Sequence, residues 1–268
     1  MVKFKVACQL IQWAGEQNQN LEKVLKEVAD AGYDGVEGLV AASPEELVEL
    51  ATTAAKFGLH IVKIGAPNLE YACQFNLTLG NDVVEIDACD RQNFGGQNPN
   101  EEDYRRAAES IGERCALARS YGLRPVHHAH LGTMIETTED AESMLRYAPD
   151  LCLLFDTGHM AAANSNPMHI IQSYGDRIAH VHLKDVKAKD PKGWKREGWE
   201  EGRFGRGRAA WFEELGKGNL GLDIPGVLRA LENAGYDGWI SVEQDQVTGH
   251  SPAETARINR MYLRSLGY

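Results

Sequence analysis

The sequence lacks an excess of basic residues, paired cysteines, long apolar runs and a glycine-rich dinucleotide fingerprint. Each absence removes a class of protein. Lys and Arg number 28 against 39 Asp and Glu, a formal net charge of −11. A nucleic-acid or anionic-membrane surface needs basic patches, so neither partner is expected. The one basic cluster, Lys184 to Arg208, also holds acids and reads as a solvated loop rather than a phosphate clamp. The five cysteines (Cys8, Cys73, Cys89, Cys115 and Cys152) show no CxxC spacing. Most lie in apolar runs, where a thiol acts as a small buried hydrophobe rather than half of a bridge. That suits a reducing compartment. The opening MVKFKVACQLIQWAG lacks the apolar core of a signal peptide, and no segment has the roughly 20 apolar residues of a membrane span. A cytoplasmic location is the expectation.

What is present is an alternation. Strand-like runs occupy Phe4–Leu10, Gly35–Leu39, His60–Gly65, Val83–Ala88, Arg124–His130, Leu151–Asp156, Ile178–Lys184 and Trp239–Glu243. Helical patterns fall between and after them: Asn20–Ala31, Ser43–Phe57, Pro67–Leu79, Glu101–Tyr121, Thr137–Tyr147, Pro167–Tyr174, Ile224–Ala234 and Pro252–Leu266. Ser43-Pro44-Glu45-Glu46 is a helix start with a cap, a proline and acids for the dipole. The segment GYDGVE at 32–37 recurs as GYDGWISVE at 235–243, each a helix end, a turn, a strand and a terminal glutamate. Eight βα units imply a closed barrel or a doubly wound sheet. No GxGxxG follows the first strand, and polar residues stand at the C-terminal ends of many strands rather than at one switch point. This predicts one (β/α)8 TIM barrel over residues 1–268, with its site on that face. Val186–Gly221, after the seventh strand, is a long loop of the kind that often carries function. Its Trp194, Trp199, Phe204 and Trp211 are placed to wall off solvent or to reach a neighbouring subunit, which leaves a homo-oligomer open.

Side chains alternate along a strand, so in Ile178–Lys184 the residues His180, His182 and Lys184 face the barrel interior. Three ionisable groups there are costly unless they are paired or bind something. His128 and His130 share a face of the fifth strand, and His127, on the other, reads as a satisfied core histidine. Glu136 lies in the loop that rises from that strand. Asp156 ends an apolar run, where its bland reading is a helix cap. Glu243 ends the eighth strand, Glu37 the second, and Glu85 and Asp87 share a face of the fourth. Each alone could be a buried ion-pair partner. Together they form a carboxylate and histidine set suited to Mn²⁺, Mg²⁺, Co²⁺ or Zn²⁺, which polarises a carbonyl or hydroxyl oxygen while a neighbouring base moves a proton.

The motifs DGVEG (34–38), HHAHLGT (127–133), DTGH (156–159), HVHLKD (180–185), FEELGKGNLGLDIPGVLRAL (212–231) and GYDGWISVEQD (235–245) resemble the xylose isomerase-like barrel superfamily, which includes sugar isomerases and epimerases, inosose dehydratase and endonuclease IV. The resemblance implies a divalent metal held by Glu, Asp, His and Glu, of which the last three match Asp156, His182 and Glu243. The first glutamate has no direct match: its place holds His128, and Glu136 downstream is the leading substitute, with His128 second. The resemblance also assigns catalysis to His128, His130, Lys184 and Glu243, and substrate contact to Glu37, Lys63 and His159. The HxHxGTxxE pattern is similar to inosose dehydratase-like members. The expected activity is proton abstraction beside the carbonyl of a keto-polyol or ketose, with a small sugar or inositol-derived substrate. The alternatives are an endonuclease IV-like phosphoesterase, which the net charge disfavours, and a non-catalytic sugar-binding barrel, which has no need of the metal set.

Overall fold

The computed structural model describes residues 4–86 and 89–268. Asp87, expected beside Glu85, and Ala88, the predicted end of the fourth strand, lie outside the described residues. Eight parallel strands form one sheet: β1 (Lys5–Gln9), β2 (Gly35–Val40), β3 (His60–Gly65), β4 (Val83–Glu85), β5 (Arg124–His128), β6 (Cys152–Asp156), β7 (Ile178–Leu183) and, last in the chain, β10 (Trp239–Val242). Their order is β3-β2-β1-β10-β7-β6-β5-β4. The sheet curls into a nearly closed TIM barrel, as expected. No ladder joins β3 to β4 among the described residues. Side chains bridge that seam instead: Lys63 pairs with Glu85, and the Asn81 amide donates to the Ile61 carbonyl at 3.1 Å.

Helices alternate with the strands and supply the outer layer. Those expected at 43–57 and 101–121 are α2 (Pro44–Lys56), capped by the Ser43 hydroxyl, and α4 (Glu101–Ser120), opened by an Asn100/Asp103 capping box. The segment at 67–79 forms α3 (Leu69–Thr78). Strands β6 and β7 are buried along their whole length, because a parallel strand between helices and barrel interior has no wet face.

The expected loop after β7 is not irregular throughout. It contains an antiparallel hairpin of β8 (Asp185–Ala188) and β9 (Ala210–Glu213). Val186, Ala188, Trp194, Ala210 and Phe212 are buried in it, and the Trp194 indole donates to the Ala162 carbonyl at 2.9 Å. Asp185 closes the base by accepting from the amides of Gly216 and Gly218, each at 2.9 Å. A Cβ on Gly218 would lie 1.8 Å from that carboxylate, so only glycine fits.

A second fastening lies beyond β5. Arg91 pairs with Asp140, lies 3.6 Å from Glu136 Oε2, and donates to the Thr133 carbonyl at 3.2 Å. All three ionised groups are buried. Breaking a buried network strands charge in low dielectric. Arg91→Met is therefore expected to destabilise the protein by about 3 kcal/mol, roughly 6–12 °C in Tm. An unchanged melting curve would show that the network is energetically neutral.

Candidate metal centre and active site

Four neighbouring strands each deliver one donor to the barrel mouth. His128 ends β5, Asp156 ends β6, His182 is the fifth residue of β7, and Glu243 follows β10. One ligand atom from each lies within 4.8 Å of the others. The alternation of β7 aims His182 inward, while the N-terminus of α6 (Thr157–Ala162) fixes Asp156, whose Oδ1 accepts from the His159 amide at 2.9 Å. The cap reading and the donor reading of Asp156 thus coexist: Oδ2 remains for the site, 3.2 Å from His128 Nε2 and 3.7 Å from His182 Nδ1.

The donor set fits a cation on the evidence of two atoms. His182 Nδ1 and Glu243 Oε2 are buried, in close contact, and without a hydrogen-bond partner. His182 Nε2 bonds to Glu37 Oε1 at 2.8 Å. A carboxylate only accepts, so Nε2 carries the proton. A lone pair on Nδ1 would face the Glu243 carboxylate, so a positive charge is needed between them, which a second proton on Nδ1 supplies in the absence of a metal. Burial opposes a charged imidazole, but Glu243 and Glu37 outweigh it and hold the His182 pKa well above the usual histidine range. A divalent ion would take the place of that proton.

Glu136, the leading fourth donor of the sequence reading, is not among the four residues whose ligand atoms cluster. Oε1 accepts from the Gly132 amide and Oε2 pairs with Arg196, with Arg91 beside it. Its charge is already neutralised, and His128 is the fourth member of the cluster. Glu37, expected at the substrate, is only 2% exposed and engaged by His180, His182 and Lys63, and it lies in the wall of the cavity over the cluster. His127 behaves as a core histidine, bonded to the Cys89 amide at 3.0 Å and the His128 carbonyl at 2.9 Å.

Lys184 is 1% exposed. Its Nζ lies 3.4 Å from Asp156, 3.2 Å from Glu243, 2.9 Å from Asp245 and 3.0 Å from His159 Nε2. Burial works against its charge, but the three carboxylates prevail and keep it protonated. His130 stacks on His159 with ring centroids 3.6 Å apart. Burial, with His128 beside it, pulls the His130 pKa down to about 4. Its Nδ1 lies 2.6 Å from the Leu131 carbonyl, so that nitrogen donates and Nε2 keeps a lone pair.

Two residues escaped the sequence reading. Asp245 follows Glu243 by two residues, so the alternation that placed Glu243 also places it on the same face. Phe212, from the hairpin, sits 4.5 Å under Lys184 Nζ and 4.8 Å from the His159 ring; no periodicity marks it. A cavity of about 360 Å³ opens over the cluster, its polar wall including Glu37, Lys63, Glu85, His128, His130, His182 and Glu243, within the size range of small-molecule sites.

Residues 25–266 match the family described as xylose isomerase-like TIM barrel. The chain belongs to that family. Within it, an inosose dehydratase of Bacillus licheniformis is 32% identical over 267 residues, covering 91% of this chain and 87% of that one. An inosose dehydratase of Clostridium botulinum is 32% identical over 169 residues, 62% of this chain and 55% of that one. The chain thus spans about half the length of the clostridial relatives in those matches. The solved structure of a xylose isomerase-like TIM barrel protein from Mycobacterium smegmatis in complex with magnesium superposes with a TM-score of 0.71 at 16% identity, over 98% of this chain and 96% of that one. Among the described residues no helix is long and apolar enough to cross a membrane.

Proposed function

We propose that this protein is a divalent-metal-dependent lyase of the inosose dehydratase type, acting on a cyclic keto-polyol. The observation that carries the reading is the convergence of His128, Asp156, His182 and Glu243, with buried donor atoms left unpaired. The inosose dehydratase relatives favour this reaction over others of the fold.

A metal held by these four would polarise the substrate carbonyl and neighbouring hydroxyl and acidify the adjacent C–H. Two imidazoles in the set favour Mn²⁺, Co²⁺ or Zn²⁺ over Mg²⁺, which prefers oxygen. The chain's own groups then divide the proton work. His130, neutral with a free Nε2, accepts the proton from the carbon beside the carbonyl. Lys184, held protonated, donates to the hydroxyl that departs from the next carbon as water. The cycle closes when His130 releases its proton to solvent and Lys184 takes one up. Phe212 and the hairpin keep bulk water from that side.

An epimerase would use the same first step and return the proton to carbon. Lys184 favours elimination, because a buried ammonium beside the leaving group has no counterpart need in epimerisation. The test is mass spectrometry of an inosose incubated in D₂O with protein loaded with Mn²⁺ or Co²⁺. A product lighter by one water is expected. A product that keeps its water and gains one mass unit from deuterium on carbon would replace dehydration by epimerisation, and an untouched substrate with every metal would sink the reading.

A further inference from the structure

We infer that Glu37 is a positioning residue for the metal centre: it locks His182 in the Nε2–H tautomer and so aims the Nδ1 lone pair at the point shared with Asp156, Glu243 and His128. This rests on the metal-site reading above and adds a role for a buried acid that the four-donor set leaves out. Glu37 crosses the barrel interior from β2 to reach β7. Its Oε1 accepts from His182 Nε2 at 2.8 Å and from Lys63 Nζ at 3.1 Å, and Oε2 accepts from His180 Nε2 at 2.8 Å. Three donors on two oxygens hold the buried carboxylate in one orientation.

The backbone is shaped to deliver it. The β2–β3 register shifts on both sides of Glu37, between Val36 and Glu37 and between Glu37 and Leu39. Gly38 adopts φ 96°, and a Cβ there would lie 2.9 Å from the Gln9 side chain. Such irregularities re-aim a side chain at the cost of ladder bonds. Here the result is an acceptor directly behind a ligating imidazole, the arrangement that fixes the ring and raises its basicity.

The test uses Co²⁺ as the probe and two readouts other than turnover. Titrations followed by visible absorbance compare wild type with Glu37→Gln, which keeps the shape and removes the charge. The expected result is Co²⁺ affinity lower by roughly 10–100-fold in the variant. Equal affinity in a folded variant would overturn the inference and leave the metal site standing, whereas a wild type that takes up no Co²⁺ would sink the metal reading itself. The second readout needs no variant at Glu37. Long-range ¹H–¹⁵N spectra of histidine-labelled, Zn²⁺-loaded protein, assigned against His182→Gln, are expected to give His182 with a protonated Nε2. A proton on Nδ1 would overturn the inference even if Glu37→Gln fails to fold.

Discussion

Asp156→Asn is expected to lose stoichiometric Mn²⁺ or Co²⁺ binding and to lower turnover by about 10³-fold, with the barrel intact. Asn keeps an Oδ1 for the His159 amide, so the cap of α6 survives. What disappears is the negative charge at Oδ2, which faces His128, His182 and Lys184. Burial opposes that charge, but Lys184, His159 and the histidine hydrogen bonds hold the Asp156 pKa well below the usual carboxylate range, so the donor is ionised at neutral pH. Lewis-acid stabilisation is a matter of several kcal/mol, and about 4 kcal/mol corresponds to 10³ in rate. Metal analysis, far-UV circular dichroism and initial rates on one preparation check all three parts. A folded variant that retains metal and full activity would mean that Asp156 only caps the helix.

The barrel was legible because its signals are local. Period-two alternation in β7, apolar runs in β6, capped helices and glycines at helix ends are each set by a few neighbouring residues, and they agree. The candidate site was legible to the extent that strand ends define it: His128, Asp156, His182 and Glu243 stand at the C-terminal ends of adjacent strands. Glu136 marks where this reasoning stops. Sequence put it near the mouth, but its fate depends on Arg91 and Arg196, 45 residues upstream and 60 downstream. The hairpin inside 186–221 was hidden for a similar reason. Its strands are four residues each, too short for a pattern, and the apolar residues that hold it are scattered along the segment, packing partly on helix α6 and Leu131 and partly on one another. Glu37 was named as a strand-end acid, but its two histidine partners lie on a strand 143 to 145 residues away.

Lys184→Met is expected to separate what the site needs for stability from what it needs for chemistry. Methionine fills nearly the same volume over Phe212 but brings no charge. Asp156, Glu243 and Asp245 then share one buried site without their common cation. Stranding buried charge costs about 3–5 kcal/mol, so the metal-free variant should melt roughly 6–20 °C below the metal-free wild type. Part of that loss is avoidable: a divalent ion neutralises Asp156 and Glu243 in place of the ammonium, and binding to the folded state alone adds stability by mass action. Saturating Co²⁺ should therefore raise the Tm of the variant by more than it raises that of wild type. Turnover should not recover with it. Loss of a general acid costs about 10²–10⁴-fold, and Lys63, which lines the cavity, is already tied to Glu37 and Glu85. Thermal unfolding with and without Co²⁺, paired with rates at saturating metal, reads both effects. If Co²⁺ restores stability and activity together, Lys184 is a counter-ion alone and the proton that leaves with the hydroxyl comes from elsewhere. If the metal-free variant melts with wild type, the three carboxylates already share protons and the ammonium is not what balances them.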